Sequence, residues 1–115
     1  MRRGDIVWVA LDPAVGSEAD KVRPAVVVGR DSHTRTSLQL ERGVVTVVPL
    51  TSNTARVLSF QALLPASATG LARDSKAQAE QVRSVDVSRL RGAAGHLPSD
   101  VMAEVDAALR LHLAL

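Results

Sequence analysis

The sequence predicts an α+β fold: a small β-barrel of several short strands followed by one C-terminal helix. Three observations predict it. Short runs rich in Val, Ile and Leu recur along the first two thirds of the chain, punctuated by Pro, Gly, Asn and Ser. The first of these runs is apolar on both alternation faces, so it needs cover on both sides or a place in a barrel. Near the C-terminus the period changes to that of a helix, directly behind Pro98-Ser99.

Residues 5–11 (DIVWVAL) form the first predicted strand, with Ile6, Trp8 and Ala10 on one face and Val7, Val9 and Leu11 on the other. Asp12-Pro13 breaks it. Residues 14–21 are small and polar and read as a surface loop. Residues 24–29 form a second strand, with Pro24 at the first position, where a sheet tolerates proline. Residues 30–43 are polar and read as a loop with ragged strand ends. Residues 44–50 (VVTVVPL) are the third strand, and Thr51-Ser52-Asn53 is turn material. Residues 59–64 (SFQALL) are a short fourth strand, and 65–70 a turn. The Ala and Gln content of residues 75–82 suits a helix, and the residues alone leave that segment open. Residues 86–90 fit one helical turn. For the final helix, Ser99 is the expected N-cap and Asp100 favours the first turn. Val101, Met102, Val105, Ala108, Leu109 and His112 fall on one stripe, with Asp106 and Arg110 spaced to pair at i, i+4.

At 115 residues the chain fits one domain, 1–115, with room for a single core. Its 46% hydrophobic and 23% charged residues suit a globular protein. No apolar stretch is long enough to span a bilayer. The opening Met1-Arg2-Arg3-Gly4-Asp5 lacks the apolar core of a secretory signal, so a cytoplasmic protein without membrane partners is expected. There is no cysteine, which excludes disulfides, Cys-ligated zinc and thiol catalysis. Net charge is +2, yet the cations are twelve arginines against two lysines. Arginine presents a planar fork of donors suited to phosphate and carboxylate. A GC-rich genome accounts for the same bias. Only Trp8 and Phe60 are aromatic, which argues against a platform that stacks several bases.

His33, His96 and His112 stand singly, and the carboxylates are dispersed, so no metal site or cofactor is expected. No Gly-rich phosphate loop or G-x-S-x-G elbow is present. What remains is a set of polar groups at strand ends: Arg23 before the second strand, Thr51-Ser52-Asn53 after the third, and Glu80, Gln81 and Arg83 around the open segment. Rigid elements can present chemistry at such ends. If strands two and three are neighbours, Arg23 and Thr51 lie close together. Each residue taken singly has a plainer reading: an edge arginine covering the apolar strand with its stem, a turn threonine, a surface Glu–Arg pair worth little.

The combination is more telling than its parts. "RGDIVWVALDP", "GSEADKVRPAVVV", "TVVPLTSN" and "AEQVRSVDVSRL" follow one another from Arg3 onward, and together they resemble the MazF/PemK family of toxin endoribonucleases. The resemblance spans nearly the whole chain. It implies an SH3-like barrel of the MazF/PemK/CcdB type, a homodimer, and metal-free, sequence-specific cleavage of single-stranded RNA, mainly mRNA. It also implies neutralisation by a cognate antitoxin whose acidic, partly disordered C-terminal segment crosses the active-site groove. Residues 75–82 become a strand on this ground. The arginine of K-x-R-P and the threonine after P-L map to Arg23 and Thr51 as the leading active-site residues. Glu80 is the implied general base, with Glu18 second. Ser17, Glu18, Lys21, Ser52, Asn53, Gln81 and Arg83 are the implied RNA contacts.

Two other uses of such a fold are weighed against this one. A CcdB-like gyrase poison acts through its C-terminal helix and lacks the K-x-R-P arginine; here the chain closes on Leu113-Ala114-Leu115 without an aromatic tail. A non-catalytic binding barrel has no need to retain both Arg23 and Thr51.

Overall fold

The computed structural model describes residues 1–11 and 22–115. Strands β1 (Asp5–Ala10) and β3 (Val44–Thr51) fall where the β-branched runs predict them. β2 (Val22–Val27) begins two residues before the expected start, so Pro24 is its third residue, tolerated there because the pairing with β3 begins only at Ala25. The three pair antiparallel in the order β1-β2-β3. The break at Asp12-Pro13 and the surface loop at 14–21 lie outside the described residues. Two further short strands, β4 (Gln61–Leu64) and β5 (Ser75–Gln78), attach to the far end of β3. β6 (Arg83–Asp86) pairs with the near end of β3, and β7 (Leu90–His96) with the free side of β1. β3 therefore carries three partners along its length and bends the sheet around itself.

The two apolar faces of the first strand are both used. Ile6 joins Val26, Val48 and Leu50 in one core, against which the C-terminal helix α3 (Ser99–Leu113) lays Val101, Met102 and Val105. Val7, Val9 and Leu11 join Ala25, Val27, Val45, Val47 and Val85 in a second core on the other face. Strict period-2 alternation along β1, β2 and β3 sends successive side chains to opposite cores, which is why all three read as near-continuous apolar runs. Among the described residues no helix is long and apolar enough to cross a membrane.

Several expectations are corrected. Residues 30–43 are not a loop: α1 (Asp31–Leu40) lies there, joining β2 to β3. Its buried face is Thr34 and Ser37, so no apolar stripe announces it. Small side chains let it approach the sheet closely, and it stops at Glu41 and Gly43, both at positive φ. The turn at 65–70 contains one helical turn, α2 (Ala66–Thr69), ended by Gly70 at φ 82°. Residues 75–82 are strand only as far as Gln78; a 3-10 turn at Ala79–Gln81 follows, and β6 begins at Arg83. The helical turn expected at 86–90 is a 3-10 turn, Val87–Arg89. β7 carries no apolar alternation and is ordered by its pairing with β1. At α3, Pro98 occupies the cap position and its carbonyl accepts the Met102 N–H at 2.9 Å, so Ser99 is the first helical residue and no side chain caps it. The Asp106 carboxylate takes Arg3 Nη2 at 2.7 Å instead of Arg110, while Arg3 Nε donates to the Val28 carbonyl at 2.8 Å. Arg3 thereby ties the chain start to both β2 and α3.

Asp5 ties β1 to β7. Its Oδ2 accepts the Arg2 N–H and its Oδ1 faces His96 Nδ1, at 2.8 and 2.7 Å. Partial burial pushes this carboxyl up, but the Arg2 N–H and His96 outweigh it and hold its pKa below the usual value. A lowered folded-state pKa contributes stability that is full above the ordinary value of 3.8 and is lost as pH falls through the folded one. Asp5→Asn should therefore be less stable than wild type at pH 5, with the gap closing toward pH 2.5. Urea titrations at both pH values check this, and a gap independent of pH would sink it.

Candidate active site

β2 and β3 run antiparallel in a register that sets Ala25 opposite Pro49. The ladder ends at that pair, and Arg23 and Thr51 lie two residues beyond it on their strands. On its other side Arg23 pairs with Val9, and Pro24 with Trp8. Residues 28 positions apart in sequence thus meet because two strand ends coincide. A cleft of about 350 Å³ opens there, lined by Arg23, Thr51 and Ser52 together with Trp8, Pro24 and Leu50, and walled by Leu71, Ala72, Arg73 and Ser75. Arg23 also lines a second recess of about 260 Å³, shared with Leu11, Pro49, Gln78, Gln81 and Arg83. Arg23 stands between two depressions on one surface.

The turn after β3 is locally determined. Thr51 Oγ1 accepts the Asn53 N–H at 3.2 Å, and Asn53 Oδ1 accepts the Ala55 N–H at 3.3 Å, two side-chain turns in series. Because the Thr51 oxygen already accepts a bond, its own hydrogen can be directed into the cleft. Arg83 Nη1 donates to the Leu11 carbonyl at 3.3 Å, and Arg89 Nη1 to the Ala10 carbonyl at 2.9 Å. Two guanidinium groups thus fix the end of β1 beside the recess. Among the described lining residues of both depressions are three arginines and no carboxylate. Each guanidinium can donate to a phosphate or carboxylate oxygen.

Of the residues singled out in the sequence, Arg23, Thr51 and Ser52 share the cleft, and Arg23, Gln81 and Arg83 share the recess. Asn53 orders the turn from an exposed position. Glu80 lines neither depression: its two carboxylate oxygens accept Gln61 Nε2 at 3.0 and 2.9 Å, and Gln61 in turn accepts the Leu58 N–H. Ser17, Glu18 and Lys21 lie outside the described residues. Sequence reasoning missed Trp8, Arg73 and Gln78. Alternation placed Trp8 with the core residues Ile6 and Ala10, yet it is 39% exposed. The signal that could have found it is the strand register, which sets it opposite Pro24, next to Arg23.

Residues 2–113 match the model of the PemK-like, MazF-like toxins of type II toxin–antitoxin systems. The chain is similar to endoribonuclease MazF9 of Mycobacterium tuberculosis, with 55% identity over 115 residues, covering 100% of this chain and 98% of the relative. Endoribonuclease EndoA of Bacillus subtilis is 35% identical over 115 residues, covering 100% and 96%. Crystallised MazF from Deinococcus radiodurans superposes with a TM-score of 0.77 at 29% identity, covering 100% of this chain and 97% of that one. A MazE–MazF structure from the same organism gives 0.78 at 29% identity, covering 100% and 96%. On the family match and these relatives, the chain belongs to the PemK-like, MazF-like toxins of type II toxin–antitoxin systems, a family of endoribonucleases.

Proposed function

We propose that this protein cleaves single-stranded RNA, chiefly mRNA, at specific sequences and without a metal ion, and so halts translation and growth until an antitoxin neutralises it. The observation that carries the reading is the meeting of Arg23 and Thr51 in one cleft, with Arg73 in its wall.

The chemistry follows from those groups. The 2′-oxygen of the nucleotide before the scissile bond attacks phosphorus in line. Its proton leaves to a base, negative charge grows on the phosphorane oxygens, and the P–O5′ bond breaks as O5′ takes a proton. The products are a 2′,3′-cyclic phosphate and a 5′-hydroxyl end. The Arg23 guanidinium offers paired N–H donors to the phosphorane oxygens. The Thr51 hydroxyl donates to a third oxygen. Ser52, Gln81 and the remaining donors of Arg83 hold flanking parts of the strand. Glu80, engaged with Gln61, supports the turn before β4, which leaves Glu18 as the carboxylate proposed to take the 2′-hydroxyl proton. Glu18→Gln should then flatten the acid limb of the pH–rate profile, and an unchanged limb would remove Glu18 from this role.

Thr51→Val keeps the side-chain shape and removes both the donor and the acceptor of the Asn53 N–H. Loss of one hydrogen bond to a charged group costs about 1.5–3 kcal/mol, so single-turnover cleavage should slow roughly 10- to 100-fold, whereas the neutral turn bond is worth only about 1 kcal/mol and should lower the melting temperature by a few degrees. Wild-type rates in Thr51→Val would exclude the hydroxyl from the reaction. The whole reading is tested by incubating the protein with a long RNA in EDTA: discrete fragments ending in cyclic phosphate are expected. Cleavage abolished by EDTA would require a metal instead.

The same cations support the proposed antitoxin contact, an acidic segment laid across Arg23, Arg73 and Arg83. RNA and such a peptide should compete, and simultaneous binding without mutual weakening would refute the shared site. A homodimer is proposed on family grounds, and sedimentation showing only monomer at micromolar concentration would count against it.

A further inference from the structure

We propose that Trp8 is a base-stacking residue: its indole face receives the nucleobase adjoining the phosphate held at Arg23. This rests on the ribonuclease reading and adds to it a residue and a contact type. Trp8 is the sole tryptophan and one of two aromatic residues in the chain. Its neighbours in β1 are sealed, Val7 at 2% and Val9 at 0% exposure, and Ile6 on its own face is at 0%, yet Trp8 is 39% exposed. A large apolar ring left in water forgoes the gain of burial. What distinguishes the position is the cleft it faces. Pro24 lies directly opposite, Leu50 extends the apolar floor, and Arg23 and Arg73 stand at the edge.

A flat aromatic surface beside guanidinium groups matches the two halves of a nucleotide. The base offers a π-face and the phosphate offers charge. An acidic segment can satisfy the arginines and lay an apolar side chain on the ring, but a π-face set beside two guanidinium groups matches base and phosphate of one nucleotide together, so we take RNA as the occupant. Every base has a π-face, so stacking on Trp8 sets affinity and position, not the cleavage motif. Base-edge discrimination requires amide and hydroxyl donors, which the neighbouring recess supplies as Gln78 and Gln81.

The sole tryptophan makes the contact directly observable. Cleavage of a long RNA first locates a site. An oligonucleotide spanning it, with a single 2′-deoxy sugar at the reacting nucleotide, is then titrated while Trp8 emission is followed. Quenching is expected. An abasic substitution at one of the two nucleotides flanking the scissile phosphate should abolish the quenching and weaken binding. Trp8→Phe keeps a smaller ring and should retain most of the affinity, whereas Trp8→Leu, equally apolar, should bind about tenfold or more weakly and ignore the abasic substitution. Trp8→Leu gives up part of the ring's buried surface and should melt somewhat lower, so binding is compared at a temperature where both variants are folded. Binding without any change in Trp8 emission, or Leu performing as well as Phe, overturns the inference while leaving the ribonuclease reading intact. Quenching by an acidic peptide but not by bound RNA assigns the ring to a protein partner and also overturns it. If the long RNA is neither bound nor cleaved, the ribonuclease reading fails and this inference fails with it.

Discussion

Arg23→Ala is expected to slow single-turnover RNA cleavage by roughly 100- to 1,000-fold, the loss typical when one preorganised donor to a developing oxyanion is removed. Binding of a 2′-deoxy substrate that cannot react should change far less, because affinity is spread over many phosphate and base contacts. The separation of rate from affinity is the diagnostic feature. Arg23 is presented by the end of β2, paired across to Val9 on one side, and it shares the cleft with Thr51 at the end of β3. A strand end fixes where the side chain starts, so its reach into the cleft is set by the fold. Arg23→Lys should recover only part of the rate, since an ammonium is a point charge without the paired donors of the fork. Full activity in Arg23→Ala would end the proposed mechanism. Equal losses of rate and affinity would reduce Arg23 to an ordinary phosphate contact.

The strands were legible because their faces are chemically explicit. In the central stretches of β1, β2 and β3 both sides of the pleat are buried, and the buried residues are Val, Ile, Leu or Ala. α1 was not legible, because helix periodicity is visible only when the buried face is apolar, and here that face is Thr34 and Ser37. β7 was missed for a related reason: Gly92, Ala93, Ala94 and Gly95 have no strand propensity and hold their shape through hydrogen bonds to β1. The site was half legible. Arg23 and Thr51 stood out as polar groups at strand ends, and their company with Ser52 in one cleft depends only on β2 and β3 being neighbours. Trp8 was hidden by the rule that revealed its strand. Alternation assigns a side chain to a face, but not to the stretch where that face runs past its cover. The pairing of Glu80 with Gln61 is a contact between β4 and the 3-10 turn, 19 residues apart, which nothing local in the sequence specifies.

The second large effect is structural and reaches the cleft from behind. Gly95 sits in β7 opposite Ile6, and a methyl group on its α-carbon would run into the Thr69 carbonyl oxygen, with Ile6 Cδ1 next at 3.5 Å. That carbonyl cannot easily retreat. Thr69 is 3% exposed, its Oγ1 donates to the Pro65 carbonyl at 3.1 Å, and the same oxygen accepts the Leu71 N–H at 3.3 Å. Gly95→Ala should therefore destabilise by about 2–3 kcal/mol, as overpacking does in a braced interior. For a domain of this size that lowers the melting temperature by roughly 10 °C. Gly92→Ala is the control: Gly92 has φ 118° and nothing within 4 Å, so an added methyl meets backbone strain alone. That strain should cost about 1–3 kcal/mol, comparable to the clash, so the cleavage rate and not the melting temperature distinguishes the two variants. The turn that Gly95 presses upon leads straight into Leu71, Ala72 and Arg73, the wall of the cleft facing Arg23. Displacing it should widen the cleft, so Gly95→Ala should also lose cleavage rate at temperatures where it remains fully folded. Gly92→Ala, with no such connection, should not. Thermal melts and single-turnover rates measured well below both transitions separate the two effects. A Gly95→Ala protein that melts with wild type would show that β7 and α2 can move apart. One that is destabilised but cleaves normally when folded would show that the 71–73 wall is held by its own strand, β5, and not by the packing behind it.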